Sequence, residues 1–146
     1  MALTKYKGKT TTSNANSNFV AMKTGELYLI RAEAYARSSQ DGPAMTDLNT
    51  LRMRRITGYV DEALTGTALL TAIANKRRRE LVGEGQRFFD LKRTTRLIVR
   101  SPLTCGINTI SPASNCTLPT NAREWTFPYP DDVTNANPNI IQNPGW

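Results

Sequence analysis

The segment RRRELVGEGQRFFDLKR, residues Arg77–Arg93, sets formal charges beside apolar residues along its whole length. Cations next to Leu81 or Phe88 would leave charge against apolar surface unless carboxylates neutralised them. The segment itself supplies three such carboxylates: Glu80, Glu84 and Asp90. It therefore predicts a packed, ion-paired turn between two helices rather than a solvated surface.

The apolar spacing around this turn predicts a helix over residues 67–82 and a shorter one over residues 86–95. Gly83 and Gly85 lie between them and can adopt backbone angles that other residues disfavour. Arg87 and Arg93 are the expected partners of the three carboxylates, because a guanidinium fork matches a carboxylate as an ammonium cannot. We expect their role to be architectural.

Upstream, the segment ELYLIRAEAY, Glu26–Tyr35, has apolar residues at helical spacing and predicts a helix over residues 25–38. Leu27 and Ile30, together with small residues such as Ala34, give this helix a wide apolar surface. Such a helix is usually enclosed by partners on more than one face.

A second helix is predicted over residues 42–57, with Asp41 as its cap, Pro43 in its first turn and Gly58 after its end. The two helices form a hairpin. Six of its positions match the aromatic, small and bulky positions of one tetratricopeptide repeat: Tyr28, Ala32, Tyr35, Ala44, Leu48 and Leu51. An ordinary antiparallel helix pair is the alternative interpretation.

Residues 78–93 fit Arg-Arg-Glu-Leu-x-x-Glu-Gly-x-Arg-x-x-Asp-Leu-x-Arg, a pattern that resembles the SusD/RagB family of starch-utilisation outer-membrane lipoproteins. Glu26–Tyr35 resembles a helix of that family. The chain departs from the family pattern at Met22–Gly25, at Gln86 where His is common, and at Phe88 where Trp is common. Three further pieces resemble its terminal segment: Phe127–Pro130, Asn137–Asn139 and Gln142–Trp146.

The resemblance implies an all-α fold: the tetratricopeptide-like hairpin, further helices, and a long irregular Pro-rich tail over residues 101–146 that wraps the helical body. Residues 1–23 are polar and predict a flexible leader, so the SusD-like helical portion is residues 24–146. Family members are several-fold longer, and the start of this chain has no signal core or lipid-acceptor Cys. We therefore expect a C-terminal fragment.

The function that the resemblance implies is capture of oligosaccharides at the cell surface and their delivery to a TonB-dependent, SusC-like outer-membrane transporter. The full-length protein would be anchored in the outer membrane by its lipid, and this fragment would be soluble. Sugar contacts in the family lie largely on variable loops, so no ligand-binding residue is transferred to this sequence. No cofactor is expected. A tetratricopeptide-like scaffold for a protein partner is the alternative function.

A net charge of +7 raises the further alternative of a nucleic-acid-binding module. However, eight cations and three carboxylates fall between Lys76 and Arg96, where ion pairs and the negative end of a helix dipole account for the cations. No aromatic stacking platform accompanies them. We therefore expect no nucleic-acid partner.

Catalysis finds no support in the residues, and we predict that the chain is not an enzyme. The sequence contains no His, which excludes Ser-His-Asp and Cys-His systems, and two thiols cannot form the usual zinc set. Asp131–Asp132 is interpreted as a turn. Cys105 and Cys116 would form a disulfide in an exported protein, although the sequence leaves their pairing open.

The tail carries seven of the eight prolines and widely spaced apolar residues. We expect these residues to anchor an irregular segment by packing into grooves. Stacking of their aromatic rings on sugars is the alternative role. The residues concerned are Trp125, Phe127, Tyr129, Ile140, Ile141 and Trp146.

Overall fold

The protein is described by a computed structural model over residues 21–100 and 116–146. Most of the predicted leader, residues 1–23, lies outside these residues, as does Cys105. The described residues are mainly helical, which confirms the all-α prediction. Within the described residues there are five α-helices: α1 (Thr24–Arg37), α2 (Asp41–Met53), α3 (Gly66–Glu80), α4 (Gln86–Arg93) and α5 (Asp131–Ala136).

The regular strands in the described part of the chain are two residues long. β1 (Ile98–Val99) pairs antiparallel with β2 (Thr117–Leu118), and Ile98 lies opposite Leu118. None of the described helices has the length and hydropathy needed to cross a lipid bilayer. The chain divides into two compact units, Met1–Leu81 and Val82–Trp146.

The core of the first unit is built by α1, α2 and α3. Its largest fully buried side chains are Leu29, Leu48, Leu69 and Ile73. Burial of each contributes about 1.5–3 kcal/mol. Alanines complete the same cluster and let the helix backbones approach closely: Ala32, Ala36 and Ala44.

The hairpin of α1 and α2 is also held by a two-pronged ion pair. Arg31 donates from Nε to Oδ2 of Asp47 at 2.8 Å and from Nη2 to Oδ1 at 2.7 Å. These hydrogen bonds, and attraction to the same carboxylate, raise the pKa of Arg31. Asp47 is buried, so the pair fixes how the two helices face each other.

The residues that match a tetratricopeptide repeat lie mostly in this helical interface. Ala32, Ala44, Leu48 and Leu51 are buried, and the two tyrosines of the pattern are half-buried. An ordinary helix pair would bury the same positions, so the repeat interpretation stays a prediction.

α1 packs against two helices, α2 and α3, but part of its apolar surface is exposed within the described residues. Leu27 and Ile30 are 49% and 50% exposed, and Ala34 is exposed as well. The buried face runs instead through Leu29 and Ala32, because it faces α2 and α3.

α2 ends at Met53, four residues earlier than the sequence predicts, because the chain folds back onto the helix. Arg52 donates from Nη1 to the Tyr59 hydroxyl at 3.2 Å and to Glu62 at 2.7 Å. The Tyr59 hydroxyl donates to Asn49 at 2.7 Å. Gly58, with φ of 71°, allows the turn that these contacts need.

The second unit contains α4, the β1–β2 pair, a 3-10 helix over Arg123–Trp125 and α5. Gly83 and Gly85 have φ of 78° and 73°, as expected for the break before α4. The prediction of a turn at Asp131–Asp132 is wrong, because these residues begin α5. Pro130 caps the helix, and the two carboxylates lie in its first turn, where the helix dipole favours negative charge.

Candidate functional site

The ion-paired network predicted from Arg77–Arg93 is present, although some partners come from elsewhere. In the first unit, Glu80 accepts hydrogen bonds from Nε and Nη2 of Arg55, at 3.0 and 2.9 Å, and lies 3.3 Å from Nζ of Lys76. Burial alone would raise the pKa of Glu80, but the hydrogen bonds from Arg55 and Lys76 outweigh it and lower the pKa below its ordinary value.

Close packing surrounds this carboxylate. Gly25 is buried, and a Cβ atom added there would lie 2.9 Å from Oε1 of Glu80 and 3.4 Å from Cδ1 of Leu51. The absence of a side chain at residue 25 therefore allows α1 to approach the end of α3.

Arg77 makes another largely buried ion pair in the first unit. Its side chain is 8% exposed, and Nη2 donates to Oε1 of Glu26 at 2.9 Å. The pair joins the last turn of α3 to the first turn of α1.

In the second unit, Arg93 donates from Nε and Nη2 to Oδ1 of Asp90, at 3.1 and 2.9 Å. This pairing confirms one predicted partnership, although both nitrogens share one oxygen. Neither Arg87 nor Glu84 is without a partner. Arg78 is exposed and takes no part in the pairs given above.

These pairs bear on the nucleic-acid alternative. Of the four consecutive cations at the end of α3, Lys76 and Arg77 are buried and bound to carboxylates. Only Arg78 and Arg79 of the four are exposed. The run therefore does not form a continuous basic stripe on the surface of α3.

An aromatic cluster lies in the second unit and consists of Phe88, Phe89, Trp125 and Phe127. The Phe88 ring lies 5.3 Å from Trp125, 5.7 Å from Phe89 and 5.8 Å from Phe127, measured between ring centroids. The ring planes of Phe88 and Phe127 differ by only 29°, so these two rings stack.

The base of the cluster is buried and its outer rings are open to solvent. Trp125 is 6% exposed, and its indole N–H donates to the carbonyl of Pro119 at 2.6 Å. Lys92 donates to the carbonyl of Trp125 at 2.8 Å. Phe89 and Phe127, in contrast, are 64% and 73% exposed. The two rings flank the half-buried Phe88 and present apolar faces to water.

The terminal segment holds the backbone that carries Phe127. Gln142 accepts from the Tyr129 N–H at 2.8 Å and donates to the Tyr129 carbonyl at 3.0 Å. Asn143 donates to the carbonyl of Phe127 at 2.6 Å, and the Trp146 indole donates to that of Thr126 at 2.9 Å. This backbone is therefore fixed on the protein side while the Phe127 ring stays exposed.

Trp146 has one further neighbour in the second unit. The Arg123 guanidinium lies 4.3 Å from the centroid of its ring, and Nη1 of Arg123 donates to the carbonyl of Gly145 at 2.5 Å. The guanidinium occupies one face of the indole, so this ring acts as an anchor.

Burial differs among the residues that were expected to anchor the tail, and packing of the tail on the helical body stays a prediction. Trp125 is buried, Ile140 is half-buried and Trp146 is held by Arg123. The prediction that Phe127 and Ile141 are buried is wrong, because they are 73% and 89% exposed. Sequence spacing does not distinguish a buried ring from an exposed one in a segment without regular periodicity.

No group of three or more potential metal ligands occurs within residues 21–100 and 116–146. Cys116 is disulfide-bonded, and Cys105, the other cysteine of the sequence, lies outside the described residues. The carboxylate of Glu80 has a lowered pKa, which is the opposite of what a general acid needs.

Comparison with known proteins places these features in a family. The model of the SusD family matches residues 1–146, that is, the whole sequence. A search among curated proteins gave no match.

Solved structures also resemble the chain. The structure called "Putative sugar binding protein", from Bacteroides vulgatus ATCC 8482, is 28% identical with a TM-score of 0.80, over 97% of this chain and 32% of that one. Two structures of a protein called BT4246 are 23% and 22% identical, with TM-scores of 0.57 and 0.59. Each aligns with 92% of this chain and about a quarter of its own length, and supports the fold alone. The chain thus spans about a third of the Bacteroides vulgatus protein.

Proposed function

We propose, because the chain belongs to the SusD family of non-catalytic binding proteins, that it is part of a cell-surface glycan-binding lipoprotein. The full-length protein would capture oligosaccharides at the outer membrane and deliver them to a SusC-like, TonB-dependent transporter. The name of the similar Bacteroides vulgatus structure, which refers to sugar binding, supports the glycan part of this proposal.

The observation that carries the proposal is the exposure of the aromatic cluster. Phe89, in α4, and Phe127 present large apolar rings to solvent. Asn143 holds the backbone at Phe127, and Gln142 holds it at Tyr129. Rings of this kind are costly to leave in water, and they match the apolar faces of pyranose rings. A rigid platform also loses little conformational entropy when a ligand stacks on it.

Capture by stacking suits a protein that must release its ligand again. Two exposed rings provide a shallow surface rather than a deep pocket, so affinity is expected to be modest and release fast. Handover to a transporter needs both properties, because the ligand must leave the first protein as readily as it arrives.

The test is titration of the protein with neutral oligosaccharides by isothermal titration calorimetry, first for binding and then in variants. Phe127→Ala removes one outer ring and is expected to weaken binding by about threefold to tenfold, the equivalent of about 0.5–1.5 kcal/mol. Ile141→Ala is the matched control, since Ile141 is an exposed apolar residue outside the aromatic cluster. Equal effects of the two variants would refute the assignment of the surface.

A further inference from the structure

A cavity of about 460 Å³ lies in the first unit, between α2, the loop that follows it and α3. Its volume is within the range of about 300–1,000 Å³ typical of small-molecule sites. Five charged residues line it: Arg52, Arg55, Glu62, Lys76 and Arg79. The residues of the aromatic cluster belong to the other unit, so the cavity is a separate candidate site.

The charges that line the cavity do not balance. Arg52 is paired with Glu62 at 2.7 Å, but Arg55 and Lys76 must share the single carboxylate of Glu80. Arg79 has no carboxylate partner within the described parts of the chain. Lys76 is 9% exposed and so is poorly hydrated. The cavity therefore has an excess of positive charge that an anionic ligand would neutralise.

The uncharged lining includes groups that suit a sugar ring. Thr71 supplies a hydroxyl and Asn75 an amide, which can donate to and accept from sugar hydroxyls. Leu64 and Ala68 add apolar surface for the C–H face of a ring. Cations beside hydroxyl-binding groups and a small apolar patch are a lining that suits a sugar carrying an anion.

We propose that this cavity binds an acidic sugar unit, whose carboxylate or sulfate group is held by Arg79 and Arg55. The guanidinium of Arg79 is free to form a two-pronged contact with an oxyanion. The sugar part of the ligand rests on the proposed glycan-binding function, whereas the preference for an anion rests on the charges of the cavity alone. The ligand class of the protein then includes acidic oligosaccharides.

The test compares three trimers by calorimetry on the whole 146-residue chain: galacturonic acid, neutral galactose and sulfated galactose. At least one acidic trimer is expected to bind about tenfold more tightly than the neutral one, and the two acidic trimers show which anion is preferred. Arg79→Gln should remove this preference. Arg78→Gln is the control, because Arg78 is the neighbouring exposed cation and does not line the cavity.

Three results would overturn the proposal. One is equal binding of acidic and neutral trimers. Another is equal weakening by Arg78→Gln and Arg79→Gln, which would indicate general attraction to a basic surface. The third is loss of acidic-trimer binding in Phe127→Ala. If neutral sugars bind through Phe127 and no trimer depends on Arg79, this inference fails while the proposed function stands; if no glycan binds at all, both fail. Circular dichroism of each variant verifies that the fold is retained.

Discussion

Replacing Glu80 with Gln removes one negative charge from the centre of the ion-paired network while keeping the shape of the side chain. Glu80 is 11% exposed and joins α3 to Arg55, which follows α2. Lys76, its other partner, is 9% exposed, whereas Arg55 is 51% exposed. The substitution therefore leaves a poorly hydrated ammonium group without its carboxylate.

The two partners contribute unequally to the expected loss. A half-exposed ion pair such as that with Arg55 is worth at most about 1 kcal/mol. A hydrogen bond between buried charged groups, as with Lys76, contributes about 1.5–3 kcal/mol, of which the amide oxygen of Gln recovers a part. We expect a net loss of about 2 kcal/mol in the free energy of unfolding, which corresponds to a fall of roughly 6–8 °C in Tm.

Urea and thermal unfolding followed by circular dichroism measure this loss. Asp132→Asn is the control, because Asp132 is an exposed carboxylate in α5, and its effect should stay within about 0.5 kcal/mol. Adding Lys76→Met to Glu80→Gln should recover part of the stability, since the double variant no longer buries an unpaired charge. Equal losses from Glu80→Gln and Asp132→Asn would refute the idea of an internal network.

Three more outcomes follow from the same contacts. Because the folded pKa of Glu80 is lowered, its stabilisation is complete above the ordinary carboxyl pKa of about 4.3 and is lost as pH falls below it. The drop in urea midpoint from pH 6 to pH 3 should thus be smaller in Glu80→Gln than in the wild type. Glu26→Gln should cost about 1–2 kcal/mol in the same unfolding assay, because the buried Arg77 loses the charge of the carboxylate to which its Nη2 donates. Gln142→Ala should lower the free energy of unfolding by about 1–2 kcal/mol. It should also speed hydrogen exchange at the Tyr129 amide, because it removes the acceptor of that amide. Unchanged exchange at Tyr129 would contradict the role given to Gln142.

The sequence was most informative where the signal is local. Apolar spacing predicts four helices, and each predicted end lies within four residues of the observed end of the corresponding helix, α1 to α4. The glycines at 83 and 85 mark the break before α4. Apolar spacing predicts an end of α2 that is four residues too late, because Arg52 reaches Tyr59 and Glu62. Such a contact depends on the path of the loop and leaves no periodic trace.

Ion-pair partners that are far apart in the sequence could not be predicted either, because such contacts also have no periodic pattern. The charge density of Arg77–Arg93 predicted internal neutralisation, and Arg93 with Asp90 lies within reach along one helix. Glu26 is 51 residues from Arg77, and Arg55 is 25 residues from Glu80. The position of Glu26 in the first turn of α1 does not by itself indicate a partner such as Arg77, because a carboxylate there is equally well explained by the helix dipole.

The candidate site could be predicted only as a set of aromatic residues. Phe127 and Trp125 are two residues apart in the same segment, yet one ring is exposed and the other buried. That difference arises from the 3-10 helix and from Asn143, which fixes the backbone at Phe127. The sequence around the 3-10 helix and Asn143 has no periodic apolar pattern, so it does not indicate which of the two rings is exposed.

The most direct test of the glycan-binding account is an NMR titration of the ¹⁵N-labelled protein with neutral oligosaccharides. The account predicts saturable shift changes that centre on Phe89, Phe127 and the adjoining backbone. Shift changes that avoid these residues, or no saturable change with any oligosaccharide, would contradict it.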